Sequence, residues 1–249
     1  MIQVKTAAEI EKMNASGTIL RKALMAAAAA IRPGVETREL DRIIEETIRG
    51  ESARPAFKGY MGFPAASCIS VNEAVVHGIP DDRVLAEGDL VSIDVGVELE
   101  GWMADSAASF PVGEVDEETQ RLMDVTLRSL EKGIEQCRPG NRLGDVSHAV
   151  QVHVEANDFS VVRELVGHGI GSRLHEEPQI PNFGPPGRGP ELKAGMVFAI
   201  EPMVNAGTEK VKTLQDEWTV VTADGRRSAH FEHTVAITES GPRILTLVG

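Results

Sequence analysis

Asp94 and Glu201 each close a short apolar run that follows a glycine turn. The two runs match: Leu85, Gly88, Leu90, Ile93, Asp94, and, 107 residues on, Leu192, Gly195, Val197, Ile200, Glu201. A carboxylate at the end of a buried strand is costly unless it is paired or holds a cation. Found twice in matching places, it points to a site shared by two related halves. Asp105 enlarges that site. The stretch from Asp94 to Asp105 reads as a hairpin turning near Leu99 and Glu100. An even-length loop sets residue 94 opposite 105 on one face, with Cβ atoms about 5 Å apart. Val95, Val97, Trp102 and Ala104 then form the core face. A three-residue loop with a bulge at Gly101 would split the two aspartates instead. Like charges directly opposed weaken a ladder, so a cation is expected between them. The apolar flanks Val91, Ile93 and Phe110 argue against a merely solvated pair.

Glu232 lies in His230-Phe231-Glu232-His233-Thr234, where strand alternation puts His230, Glu232 and Thr234 on one face and turns His233 away. His168, in Val166-Gly167-His168-Gly169-Ile170-Gly171, is the remaining ligand candidate, with glycines leaving room for close approach. Four carboxylates and one imidazole balance two divalent ions at near-zero net charge. Oxygen-rich ligation with one nitrogen suits Mn, Fe(II) or Co better than a thiolate-selected site, with zinc or nickel as alternatives. Separate single-metal sites and a structural calcium are the other readings, although calcium would not need the imidazole.

These residues need elements to hold them. A capping box, Thr6 with Glu9, opens a helix that runs to about residue 31 and stops at Arg32-Pro33-Gly34. A second helix is expected at 38–49, with Leu40, Ile43, Ile44 and Thr47 on one stripe. After a Gly-, Pro- and aromatic-rich loop at 57–64 come strand patterns at 67–71, 90–97 and 102–110. The order then repeats. Helices at 117–137 and 146–157 enclose a second stop, Arg138-Pro139-Gly140, and strand patterns follow at 161–166, 196–204, 218–222 and 230–238. Offsets of 106 and 107 at several landmarks make duplication the better reading than two unrelated pieces. The expectation is one α+β catalytic domain over 1–249. Its halves, roughly 1–115 and 116–249, pool a central antiparallel sheet under helices.

Bulk composition narrows the function. A net charge of −13 over 249 residues argues against non-specific nucleic-acid binding. Two cysteines, Cys68 and Cys137, without CxxC spacing fit a reducing compartment. No stretch approaches the ~20 apolar residues of a membrane span, so a cytoplasmic protein without a membrane partner is expected.

Val76-His77-Gly78-Ile79-Pro80, the Asp94/Asp105 hairpin, Gly167-His168-Gly169-Ile170-Gly171, Ile200-Glu201-Pro202 and Phe231-Glu232-His233-Thr234 together resemble the type I methionine aminopeptidases, over essentially the whole chain. The resemblance implies the pita-bread fold with pseudo-two-fold halves, and removal of an N-terminal methionine ahead of a small second residue. It implies that Asp94 binds one metal, that His168 and Glu201 bind the other, and that Asp105 and Glu232 bridge both. Glu201 would shuttle the proton, His77 would contact the scissile amide, and His175 would contact the carbonyl oxygen. Phe57, Tyr60, Phe63, Cys68, Leu174 and Trp218 would line the methionine pocket, Leu174 departing from the aromatic common there. Asn72 and Ser228 match positions that accompany a structural monovalent cation. His148 and His153 are read as structural, and His230 as a supporting neighbour of the ligands. A monomer and a transient ribosome contact complete the implied picture. Prolidase and aminopeptidase P relatives usually carry an N-terminal domain, whereas this catalytic unit begins almost at Met1. Type II enzymes carry an insertion for which the 31-position step from Glu201 to Glu232 leaves no room. A relative that has lost catalysis typically lacks a ligand, and all five are present.

Overall fold

The computed structural model describes residues 2–247. Its first half opens with α1 (Ala7–Ala28) and α2 (Thr37–Gly50), and its second with α3 (Glu117–Glu135) and α4 (Leu143–Glu155). The expected capping box starts α1: the Thr6 hydroxyl accepts from Glu9 N–H while the Glu9 carboxylate accepts from Thr6 N–H. The Asp116 carboxylate caps α3 by accepting from Thr119 N–H. On α2 the buried stripe is Thr37, Leu40, Ile44 and Ile48, rotated slightly from the expected one.

The duplication is written in the backbone. α1 and α3 end before the expected Arg-Pro-Gly stops, and Gly34 and Gly140, at φ 92° and 91°, close the turns that follow in the left-handed conformation that glycine tolerates. Gly34 N–H donates to Leu85 O and Gly140 N–H to Leu192 O. Isolated bridges join Glu36 to Val84 and Arg142 to Glu191. Every one of these pairs repeats at the offset read from the sequence.

All strand pairings among the described residues are antiparallel. In the first half, Leu90–Leu99 is the hub, flanked by Trp102–Pro111 on one side and by Ser67–Val71 and Arg54–Pro55 on the other. In the second half the order is Gly241–Ile244, His233–Thr238, Val197–Ile200, Gly167–Gly169, Glu176–Ile180. Two small three-stranded sheets flank them. The main sheets abut where Glu232 N–H donates to Ala107 O and where Thr234 Oγ1 and the Asp105 backbone exchange two hydrogen bonds, 2.8 and 2.9 Å long. Helices α1 and α2 cover the first sheet around Leu20, Leu40, Ile44 and Ile93, and α3 and α4 cover the second around Leu122, Leu130, Val150 and Phe198. A third apolar cluster, with Phe57, Phe63, Cys68, Ile170 and Leu174, lies where the halves meet.

Three expected strands are interrupted. The 196–204 pattern divides into Val197–Ile200 and Met203–Asn205, because Pro202 has no N–H for a ladder. The 230–238 pattern divides into Ser228–His230 and His233–Thr238. Glu232 therefore sits in a link rather than within a strand, its N–H turned toward the first half. Of the 161–166 pattern only Val161 is strand, as the end of Ser160–Val161, with pairing resuming at Gly167–Gly169.

Candidate active site

The Asp94/Asp105 hairpin turns at Glu100 and Gly101, both with positive φ (49° and 82°), the two-residue turn whose twist suits adjoining strands. Asp94 consequently lies opposite Ala107, and Asp105 opposite Gly96. The expected direct opposition of the two acids is wrong by two residues. The loop is nonetheless even, so both side chains keep the same face, as diagonal neighbours. Cys68 pairs with Asp94 from the other side, and so joins that face too. Gly96 leaves room for an aromatic: a Cβ there would lie 2.5 Å from Phe57 Cε1.

Second-half residues complete the floor. Glu201 follows the last residue of Val197–Ile200, and His168 is central in Gly167–Gly169. Asp105, His168 and Glu232 are buried and offer ligand atoms within 4.8 Å of one another. His168 Nε2 lies 3.6 Å from Glu201 Oε1 and 3.8 Å from Asp105 Oδ2. Asp94 and Glu201 are half-buried, facing the cavity. The expected five ligands come together from five separate segments.

The electrostatics demand a cation. Burial pushes the Asp94 carboxyl up to about 7. Burial raises Asp105 well above the carboxylate range, and the charges of Asp94 and Glu201 add to it. Glu201 and Glu232 rise for the same reasons, burial first and neighbouring acids second. Burial, reinforced by His175, holds the His168 imidazole down at about 3, hence neutral. Its Nδ1–H donates to Gly169 O at 2.9 Å, leaving the Nε2 lone pair toward the acids, the tautomer a metal ligand needs. Asp94 Oδ1, Asp105 Oδ1 and Glu232 Oε1 are buried without a hydrogen-bond partner among the described residues. Unpartnered carboxylate oxygens converging beside a neutral imidazole fit divalent cations.

Metal removal should therefore have a pH-dependent effect on stability. These carboxyls bind protons more tightly folded than unfolded, so without metal each contributes stability at low pH. That stability is lost as pH rises from about 4, the unfolded value, through about 7, where Asp94 titrates. Bound cations reverse the preference and stabilise by mass action. Thermal unfolding should show the Mn-loaded form melting above the stripped form, by a margin larger at pH 8 than at pH 6. A margin independent of pH would contradict the site's burial.

Glycines beside His168 serve packing of backbone, not approach of a ligand. A Cβ on Gly167 would lie 2.4 Å from Ala199 O, and one on Gly169 would lie 2.2 Å from Glu177 O. Backbone cannot yield as a flexible side chain can. Gly169→Ala is therefore expected to displace His168, lowering Tm by several degrees and weakening Mn binding about 10-fold or more. Calorimetry with and without Mn measures both, and a wild-type profile would refute the packing role.

Above the five candidate ligands lies a cavity of about 440 Å³, lined also by Phe57, Tyr60, Phe63, Cys68, His77, Leu174, His175 and Trp218. Every residue expected in the methionine pocket lines it. Phe63 and Trp218 pack edge to face, with ring centroids 5.1 Å apart. His175 stacks near His168 at 4.2 Å, and its Nδ1 shares a hydrogen bond of 2.8 Å with the Tyr60 hydroxyl. His77 holds a positive φ of 59°, a strained backbone that aims the ring inward. Burial lowers both histidines, and His175 adds to the effect on His77.

Several participants carried no sequence signal. Met61 lines the cavity mouth while 82% exposed. Asn182 donates to Glu201 O at 3.0 Å, and Ser106 Oγ donates to Glu232 O at 2.6 Å. Thr234 braces Asp105, and its placement on the Glu232 face was the one available clue. His230 Nε2 is buried, unpartnered among the described residues, and 3.9 Å from Glu201 Oε2. His233 bonds Thr246 Oγ1, away from the cavity, and His148 bonds Gly184 O. The cation positions Asn72 and Ser228 do adjoin: Ser228 N–H donates to Asn72 O at 2.9 Å. The Asn72 amide is taken up by Asp89 and Leu90.

Duplicated helix-backed sheets that pool buried acids around a neutral imidazole define a metal-dependent hydrolase site. Residues 11–239 match metallopeptidase family M24, and the chain belongs to that family. Its divalent ions are a property of the family, and the fold is the pita-bread fold. Methionine aminopeptidase 1 of Bacillus subtilis is 54% identical over 248 residues, covering 100% of both sequences. The crystal structure of methionine aminopeptidase from Thermotoga maritima matches with a TM-score of 0.98 at 49% identity, with all of each chain covered. Prolidase from Pyrococcus furiosus matches at a TM-score of 0.80 and 26% identity, and this chain covers 66% of it. Among the described residues no helix is long and apolar enough to cross a membrane.

Proposed function

We propose that this chain is a methionine aminopeptidase, hydrolysing the first peptide bond of polypeptides that begin with methionine, preferably before a small residue. The observation carrying this reading is the joint cavity: Asp94, Asp105, His168, Glu201 and Glu232 on its floor and apolar, aromatic walls beside them. An unbranched thioether suits such walls. Asp94 would hold one divalent ion, His168 and Glu201 the other, and Asp105 and Glu232 both. Mn, Fe(II) or Co suit this donor set best, and a monovalent cation near Asn72 and Ser228 would be held by carbonyl oxygens.

When bound, two close divalent ions make water acidic enough to supply a nucleophile near neutral pH. Glu201, facing the cavity, takes the proton from the attacking water and passes it to the leaving amine. His175 donates to the carbonyl oxygen as charge develops there. In the tautomer whose Nδ1 accepts from the Tyr60 hydroxyl, Nε2–H is the donor. His77 orients the scissile amide. The rest of the peptide leaves along the adjoining polar cleft of about 500 Å³, which shares His77, His168, His175 and Glu201 with the pocket. Residues 1–249 act as one catalytic domain of two halves, working as a monomer on nascent chains in the cytoplasm, with transient ribosome contact.

The test is release of the first residue from Met-Ala-Ser, Met-Leu-Ser and Ala-Pro-Ser by Mn-, Fe(II)- or Co-loaded protein. Rapid cleavage of Met-Ala-Ser, slow cleavage of Met-Leu-Ser and none of Ala-Pro-Ser is expected. Cleavage of Ala-Pro-Ser alone would assign a proline-directed enzyme, and no cleavage of any peptide would sink the catalytic reading.

A further inference from the structure

Lys5 and Glu176 form an ion pair with Nζ and Oε2 2.6 Å apart and side chains only 4% and 1% exposed. Both charges are removed from water, and each loses its hydration. An apolar pair of similar size is often as stable or more so. Stability alone therefore does not account for the pair, and what it touches suggests its use.

Glu176 follows His175 directly. Its second oxygen, Oε1, accepts from Arg173 N–H at 3.3 Å, so the carboxylate sits inside the curve of the 170–175 loop. That loop has no regular secondary structure, yet it carries both Leu174 and His175. Gly171 packs onto the ion pair: a Cβ there would lie 2.5 Å from Lys5 Cε and 2.7 Å from Glu176 Oε1. Gly171 O accepts in turn from Met103 N–H at 2.8 Å, two residues from Asp105. On the other side, Lys5 N–H donates to Gly195 O at 2.7 Å, at the turn that leads into Val197–Ile200 and Glu201. Lys5 thus ties together the loop bearing His175 and the turn ahead of Glu201.

We infer that the buried Lys5–Glu176 pair is a positioning device for the His175 imidazole and the Leu174 wall, which makes the segment ahead of α1 part of what sets the catalytic rate. The inference rests on the role proposed above for His175. Neither member touches substrate. They act through a loop whose side-chain anchor at His175 is the Tyr60 hydroxyl, and a donor misplaced by about 1 Å can cost about 100-fold in rate.

The decisive variant is the double substitution Lys5→Met with Glu176→Met, which removes both charges and keeps the volume. Cooperative unfolding near the wild-type Tm is expected, with binding of two Mn ions intact. The kcat on Met-Ala-Ser should fall at least 10-fold while KM changes less. The ring ¹⁵N resonances of His175 should shift or broaden in the metal-free protein. Wild-type kcat with unchanged His175 resonances would overturn the inference and leave the pair a folding contact. Should the double variant not fold, Glu176→Gln, nearly isosteric, takes its place: the same two measurements are made, and the same results support or overturn the inference. Wild-type protein run in parallel separates the two levels. If it does not cleave Met-Ala-Ser, the aminopeptidase reading fails, while the His175 resonances still decide whether the pair positions that ring.

Discussion

Asp105→Asn should bind fewer than two Mn ions per chain and lose about 1,000-fold or more in kcat/KM on Met-Ala-Ser. The substitution is nearly isosteric, and the backbone groups of Asp105 stay tied to Thr234. Folding should thus be preserved while a carboxylate proposed to bridge both ions becomes an amide. An amide cannot neutralise two cations, and its NH₂ would point donors at them. The same change should raise the Tm of the metal-free protein at pH 7.5. Burial and the charges of Asp94 and Glu201 all oppose ionisation of Asp105, so deleting its charge relieves the apo state. Opposite signs on apo stability and activity separate this outcome from simple misfolding, which would lower both. Metal titration by calorimetry, thermal unfolding and steady-state kinetics on one preparation read all three. Retained binding of two ions would contradict the assigned bridge.

His175→Ala is expected to reduce kcat about 100- to 1,000-fold, the usual cost of removing one donor to a developing oxyanion, with KM altered much less and both Mn ions retained. His175 is exposed at the cavity wall and its ring bonds Tyr60, so its loss should leave Tm nearly unchanged. Tyr60→Phe removes the hydroxyl that engages Nδ1 but keeps the ring. It should cost far less, since Nε2–H can still donate once the tautomer is set by water. A His175→Ala variant with wild-type kcat would remove this residue from the reaction. An equal loss in Tyr60→Phe would shift the donor role to the phenol.

The pattern repeated at Asp94 and Glu201 made the duplicated architecture legible in the chain itself. Glycine stops, capping residues and apolar periodicity are local signals, and local signals survive folding unchanged. The face shared by Asp94 and Asp105 was readable for a related reason: it depends only on whether the loop is even. Their register was not, although Glu100-Gly101 was the clue, since a residue followed by glycine favours the two-residue turn with both φ positive. The break at Glu232 could not be read from alternation, because it arises from a bond to Ala107, 125 residues earlier in the chain. The partnership of Lys5 with Glu176 spans 171 residues and belongs to the same class of long-range facts. Met61 escaped notice because an exposed methionine in a loop carries no pattern. The acid cluster was legible because buried charge is costly, and several acids placed in apolar contexts call for a cation to offset them.

The central claim is a dinuclear centre held between the halves by Asp94, Asp105, His168, Glu201 and Glu232. Anomalous diffraction from Mn-loaded crystals tests it most directly. Two peaks about 3.5–4 Å apart are expected, both in contact with Asp105 and Glu232, one also with Asp94 and the other with His168 and Glu201. A single peak, or two peaks that share no carboxylate, would contradict it.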